Sequence, residues 1–131
     1  MNTSPRLLSC ERGATALEFA FLAPVLFAMI FGVIDVGRLA WTIGSLHFAA
    51  ESAARYASLN FDGGGNPPAA STVQTYALSA YYGESMGGNP FTYSYNAAGC
   101  GNTVTATVDY SLSIPLAGSW GIPLQATACF P

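Results

Sequence analysis

Apolar residues run almost unbroken from Ala14 to Ile34, recur every third or fourth position as far as Ala57, and alternate one by one from Val104 to Ile114. The three patterns predict three different elements. The first block is interrupted only by Thr15, Glu18, Pro24 and Gly32. A bilayer core of roughly 30 Å needs about 20 predominantly apolar residues in a helix, and this block supplies them. It is too long for the apolar region of a cleaved secretory signal. Pro24 is compatible with a membrane helix, where neighbouring helices or local adjustment satisfy the freed carbonyl. In the second pattern Val36, Leu39, Ile43, Leu46, Ala50, Ala53 and Ala57 fall on one helical face. A continuous helix from Ala14 to Leu59 would be roughly 69 Å long at 1.5 Å per residue, a membrane span extended into a stalk. Gly32, Gly37 and Gly44 on it permit either close helix packing or flexibility.

The third pattern is a strand. Val104, Ala106, Val108, Tyr110, Leu112 and Ile114 alternate with Thr103, Thr105, Thr107, Asp109, Ser111 and Ser113, which predicts one buried and one wet face, with Pro115 ending the run. Between helix and strand, Phe61–Pro68 (FDGGGNPP) reads as a loop. Asp62 and Asn66 there fit a plain turn or, with too few oxygens for a full shell, a calcium site. Ser71 is placed to cap a short helix whose Val73, Tyr76, Ala77, Ala80 and Tyr81 share a face, with Gly83 as its stop. Phe91–Tyr95 is a short aromatic strand, and Leu124–Phe130 a last one. The fold class expected is α+β: a transmembrane and stalk helix over 14–59, then a small extracytoplasmic domain over 60–131 with a short helix and antiparallel strands.

Charge sets the orientation and excludes one class of function. Of 131 residues 8% are charged, and the net charge is -3. All basic residues are Arg (Arg6, Arg12, Arg38 and Arg55). Such a chain has no basic footprint for nucleic acid. The leader holds Arg6 and Arg12 against Glu11, whereas Asp35 and Arg38 beyond the block nearly cancel. Positive flanks stay cytoplasmic, so the N-terminus is expected inside and the residues after about Asp35 outside. Farther along, Glu51 and Arg55 form an i,i+4 pair in the favourable order.

Glu18 demands an explanation. A carboxylate in a membrane helix costs on the order of 2.5–3.5 kcal/mol on insertion scales, and such residues are functional by default. Cleavage after Gly13 would make Ala14 a free amine four residues before Glu18. Positions i and i+4 share a helix face, so the two could pair within one subunit or between neighbouring ones. The bland alternative is that Glu18 snorkels to the interface or favours the helix N-terminus through the dipole.

Gly13-Ala14-Thr15-Ala16-Leu17-Glu18-Phe19 resembles the processing site of type IV prepilins: a basic leader ending in Gly, then Glu at the fifth mature position and an apolar helix. RGATALEFAFLAPVLFAMIFGVIDVGR resembles more closely the opening of TadE-like proteins, pseudopilins of the tight-adherence (Flp) pilus machinery. Asp35, Gly37 and Arg38 match its close, and Arg55, Tyr56 and Ala57 match the Arg-Tyr-Ala that ends the family's Ala-rich continuation. The likeness is good over 12–59 and loose over 103–128, and the ending Ala128-Cys129-Phe130-Pro131 departs from it. The resemblance implies a 1–13 leader removed by a prepilin peptidase between Gly13 and Ala14. It further implies that Glu18 and Phe19 serve processing and assembly. The implied partners are other pilin and pseudopilin subunits, an inner-membrane assembly platform and membrane lipid, and the implied location is the bacterial cytoplasmic membrane.

Cysteine arithmetic agrees with processing at Gly13. Three cysteines are awkward outside the cytoplasm. Cleavage removes Cys10 and leaves Cys100 and Cys129, where disulfides persist; the alternative is two free buried thiols. Leu7-Leu8-Ser9-Cys10 has the look of a lipobox, but a lipoprotein signal needs its apolar stretch before the cysteine. A zinc site lacks closely spaced ligands, the one histidine being His47. Gly63-Gly64-Gly65 lacks the Lys and the preceding strand of a phosphate loop. No catalytic arrangement and no cofactor is expected. The functional expectation is a minor pilin or pseudopilin for assembly of a tight-adherence pilus, with an uncleaved signal-anchored binding protein as the alternative.

Overall fold

The computed structural model describes residues 11–84, 87–114 and 118–131. The leader as far as Cys10, Arg6 included, and the strand-ending Pro115 lie outside the described residues. The chain forms α1 (Glu11–Leu59), α2 (Ala70–Ala80), β1 (Phe91–Asn96), β2 (Gly101–Ile114) and β3 (Gly118–Phe130). It divides into two units, Met1–Asp35 and Val36–Pro131. In the first, the described residues are α1 alone, with Pro24 inside it.

The second unit is α+β. Its three strands form an antiparallel meander in the order β1-β2-β3. Phe91 lies opposite Ala106 on one side of β2, and Ala126 opposite the same Ala106 on the other. The expected alternation on β2 holds: Val104, Ala106, Val108 and Tyr110 are buried, whereas Thr107, Asp109 and Ser111 face water. β3 begins earlier than expected, at Gly118, and carries Pro123 opposite Asp109. An edge strand accepts a proline because one row of its N–H groups has no ladder partner.

The buried face of α1 completes this core. Leu46, Ala49, Ala50, Ala53, Ala54 and Ala57 cluster with Val73 and Ala77 of α2 and with the inner face of the sheet. So many alanines on one face let the helix backbone approach its neighbours closely, and at native packing density little room is left for added methylenes. Two positions of the expected face are corrected: Val36 and Ile43 are exposed, whereas Thr42 is buried, its hydroxyl donating to the Arg38 carbonyl at 2.9 Å. The stripe has turned because a 3.6-residue helix drifts against a repeating three-and-four spacing. The expected Glu51–Arg55 pair does not form; among the described residues the ion pair present is Arg38–Glu84 at 3.5 Å.

α2 also differs from expectation. Its N-cap is Ala69, with no side-chain cap, and Ser71 lies inside the first turn, where its carbonyl accepts from the Thr75 hydroxyl at 2.8 Å. The extended Pro67-Pro68 pair fixes the approach, so the helix starts as soon as the prolines end. It stops at Ala80 rather than Gly83 because tertiary contacts take the next residues. The Tyr81 ring meets Phe91 edge-on at 6.1 Å, and the Tyr82 N–H donates to Ser45 Oγ at 2.7 Å. Tyr76 stacks on Tyr56 of α1 at 4.3 Å, an arrangement worth about 0.5–1.5 kcal/mol beyond its area.

The loop after α1 is a turn organised by one carboxylate. Asp62 accepts from the backbone N–H groups of Gly64 and Asn66 and from the Asn66 side chain. The Asn66 bonds hold its carboxyl below the ordinary value, because each donor favours the charged form. With a folded pKa below the unfolded one, the stabilisation is present above the unfolded value and fades as pH falls through the folded value. Acidifying below pH about 4 is therefore expected to loosen this turn, read as loss of protection of the Gly64 and Asn66 amides by NMR. An Asp62→Asn variant whose amides show the same acid transition would refute the assignment.

At the β1–β2 end, Gly101 has φ +96°, and a Cβ there would meet the Phe130 carbonyl oxygen at 2.7 Å. Both the backbone angle and the space demand glycine. Beside it Cys100 is bonded to Cys129, with Cα atoms 6.1 Å apart.

Candidate functional site

The first unit presents a bare apolar helix. Leu17, Phe19, Phe21, Leu22, Val25, Phe27, Met29 and Val33 are all largely exposed, and α1 is long and apolar enough to cross a membrane. A soluble monomer rarely shows so large an apolar surface; one suited to lipid or to other helices does. Glu18 is exposed within this surface, on a helix that already includes Gly13. Glu18 and Phe19 follow one another, so a 3.6-residue period turns them about 100° apart, and the carboxylate occupies its own sector beside the ring.

The second unit carries its two most exposed aromatics where α1 enters it. Trp41 is 66% and Tyr82 67% exposed. The Trp41 indole N–H donates to the Tyr82 carbonyl at 3.0 Å. These two rings, with Ala40, Gly44, Ser45 and Phe48, line an apolar recess of about 280 Å³. A more polar recess of about 420 Å³ joins Glu84 and Asn89 to Thr107, Asp109 and Ser111 of β2. The Arg38–Glu84 contact beside it is exposed on both partners, and such a pair contributes about 0–1 kcal/mol.

At the other end of the unit Phe61 meets Tyr95 edge-on at 5.4 Å. There Tyr93 donates its phenol proton to Asn102 Oδ1 at 2.7 Å, and burial raises the Tyr93 pKa, with Tyr95 adding to it. The neutral phenol remains a donor well above neutral pH. Asn102 is fully buried, and its Nδ2 has no partner. Burial, and then the Glu84 charge, likewise raises Tyr81, whose hydroxyl donates to the Glu84 carbonyl.

His47 is exposed on α1, and among the described residues no three His, Cys, Asp or Glu side chains are grouped to hold a metal. The structure gathers Gly13, Glu18 and Phe19 on one segment and joins Cys100 to Cys129 at the far end of the sheet. Sequence reasoning missed the Trp41–Tyr82 contact, which spans 41 positions. Its one local signal was a tryptophan a short way beyond the apolar block.

No curated protein matches the chain, and no solved structure matches it. The family model for TadE-like proteins matches residues 13–55. That match opens at Gly13 and covers the apolar helix, Glu18, the Asp35-Val36-Gly37-Arg38 turn and the alanine face as far as Arg55. Over residues 13–55 the chain is thus similar to TadE-like proteins.

Proposed function

We propose that the protein is a minor pilin or pseudopilin that helps assemble a tight-adherence pilus. A TadE-like helix associates it with that pilus system. The observation that carries the reading is a lone carboxylate, Glu18, five residues after Gly13 on an otherwise apolar and exposed helix. In this reading residues 1–13 are a leader that a prepilin peptidase removes at the cytoplasmic face, residues 14–59 anchor and extend the subunit, and residues 60–131 lie outside the cytoplasmic membrane. The mature amine of Ala14 pairs with Glu18, and the apolar helix packs against those of other pilin subunits at the inner-membrane assembly platform. Gly13 suits the cut because a residue without a Cβ leaves the helix at low cost, as a peptidase that needs extended backbone requires.

Intact mass and N-terminal sequencing of the protein from its host membranes test the reading. A chain beginning at Ala14 is expected. A chain still carrying Arg6, Cys10 and Arg12 would overturn processing and leave a signal-anchored protein in its place.

A further inference from the structure

Both tryptophans of the chain, Trp41 and Trp120, lie outside the apolar block and are largely exposed, at 66% and 51%. They share one end of the second unit. Trp41 is tied to Tyr82, Arg38 to Glu84, and Glu84 lines a recess with Asp109 and Ser111 of β2. The β2–β3 ribbon continues past Ser111 through the pairs Leu112↔Trp120, Ser113↔Ser119 and Ile114↔Gly118. Trp120 therefore sits near the tip of a ribbon that runs out at the end where α1 enters, not at the end of the disulfide.

The chemistry of this tip is unusual for a surface. From Tyr110 to Pro131 the chain has no charged residue. By the register, Trp120 and Leu112 continue the apolar face of Val108, Tyr110 and Leu124, beyond the point at which the core covers it. Leu112 and Ile122 are only partly buried against that core. An exposed apolar ribbon end costs solubility and contributes nothing to folding, which is a reason to look for what covers it.

We propose that this end of the unit docks on the outer lipid–water interface of the membrane that α1 crosses, with Trp41, Tyr82 and Trp120 as its interfacial anchors. The proposal rests on the membrane-anchor reading above. The occupant follows from covalent continuity: the unit begins at Val36, directly after the apolar helix, so this end is the one the chain joins to the membrane-crossing segment. The residue types follow as well. Tryptophan and tyrosine favour the headgroup level, where an apolar ring and a polar N–H or O–H are both satisfied. The charged groups at this end, Arg38, Glu84 and Asp109, include two acids, so binding draws on the aromatic and aliphatic surface and not on anionic headgroups. Docking of this kind would restrain the body before the subunit leaves the bilayer, and it would be released on leaving.

The test uses the full chain in phosphatidylcholine vesicles. Flotation of the vesicles reports the anchor. In Trp41→Phe the remaining fluorophore is Trp120, and in Trp120→Phe it is Trp41. Each is expected to emit at shorter wavelength than in urea and to be quenched strongly by lipids brominated near the headgroup, weakly by lipids brominated at the chain methyls, and little by aqueous acrylamide. Replacing phosphatidylcholine by anionic lipid is expected to leave the quenching unchanged. A protein that floats with the vesicles but whose Trp120 is quenched by acrylamide and not by brominated lipid overturns the docking while sparing the anchor. Protection from both quenchers, together with cross-linking between copies, would assign the surface to a second subunit and equally overturn it. Failure to float overturns the anchor reading itself.

Discussion

Replacing Glu18 by Ala is expected to abolish pilus assembly while leaving the subunit in the membrane. Two opposite effects of one carboxylate lead there. In the lone membrane-inserted chain Glu18 is a liability of about 2.5–3.5 kcal/mol, so Glu18→Ala inserts at least as well as the native protein. In an assembled bundle of apolar helices the liability reverses. The amine that cleavage would leave on Ala14 needs a counter-charge, and removing one partner of a buried pair costs about 3–5 kcal/mol. Each 1.4 kcal/mol is a factor of ten in association, so each subunit contact would weaken on the order of a hundredfold or more. Glu18→Gln keeps the shape without the charge and is expected to fail as well. The check is the amount of pilin in a sheared surface fraction, with a membrane immunoblot of the same cells. Native piliation in a Glu18→Ala strain would sink the pairing, and loss of the protein from the membrane would show that Glu18 serves insertion instead.

The second large effect is expected at the opposite end of the molecule. The Cys100–Cys129 bond closes a loop with a sequence separation of 29, for which the chain-entropy model gives about 3–4 kcal/mol. A domain has only about 5–15 kcal/mol in total. The bridge holds the last pairs of the register, Thr103↔Cys129 and Asn102↔Phe130. It does so beside the buried Asn102, whose side-chain oxygen accepts from Tyr93 and whose Nδ2 meets no partner among the described residues. Without the bond, opening this end lets water reach the Asn102 amide, and β3 frays from Phe130 inward. The Cys100→Ala/Cys129→Ala protein in detergent is expected to melt more than about 10 °C lower than the native chain, since 1 kcal/mol shifts a domain of this size by about 4–8 °C. Hydrogen exchange should show the loss first at Ala128 and Cys129. A melting temperature unchanged by both the double substitution and reductant would mean the bridge adds nothing to the fold.

Local pattern reached far into this structure. The unbroken apolar run, the three-and-four spacing and the strict alternation each depend on a repeat that a short window contains, so α1, the loop at Phe61–Pro68, β1 and β2 were all legible. The reading failed where two local signals competed. Ser71 is a good capping residue and Gly83 a good stop, but the Pro67-Pro68 pair started α2 two residues early, and Tyr81 and Tyr82 left the helix to meet Phe91 and Ser45. Val36 and Ile43 fitted the spacing, yet the buried stripe has turned away from them, taking in Thr42 and leaving Ile43 exposed. Burial depends on what arrives to cover a residue, and a helix's own period carries no record of that.

The candidate site divides along the same line. Gly13, Glu18 and the apolar helix are consecutive, so the sequence by itself determined that this chain carries an acid-marked helix long and apolar enough to cross a membrane, and with it the similarity to TadE-like proteins over residues 13–55. What the tertiary structure alone decided is which end of the second unit is apolar and which is locked. Trp41 and Trp120 are far apart in sequence and come to one end because β2 and β3 run as an antiparallel ribbon back toward the residues at which α1 enters the unit. That same register sends Cys100 and Cys129 together to the other end. Strand pairing sets both at once: a ribbon has two ends, and the direction in which it is laid against the helix fixes which residues lie at each.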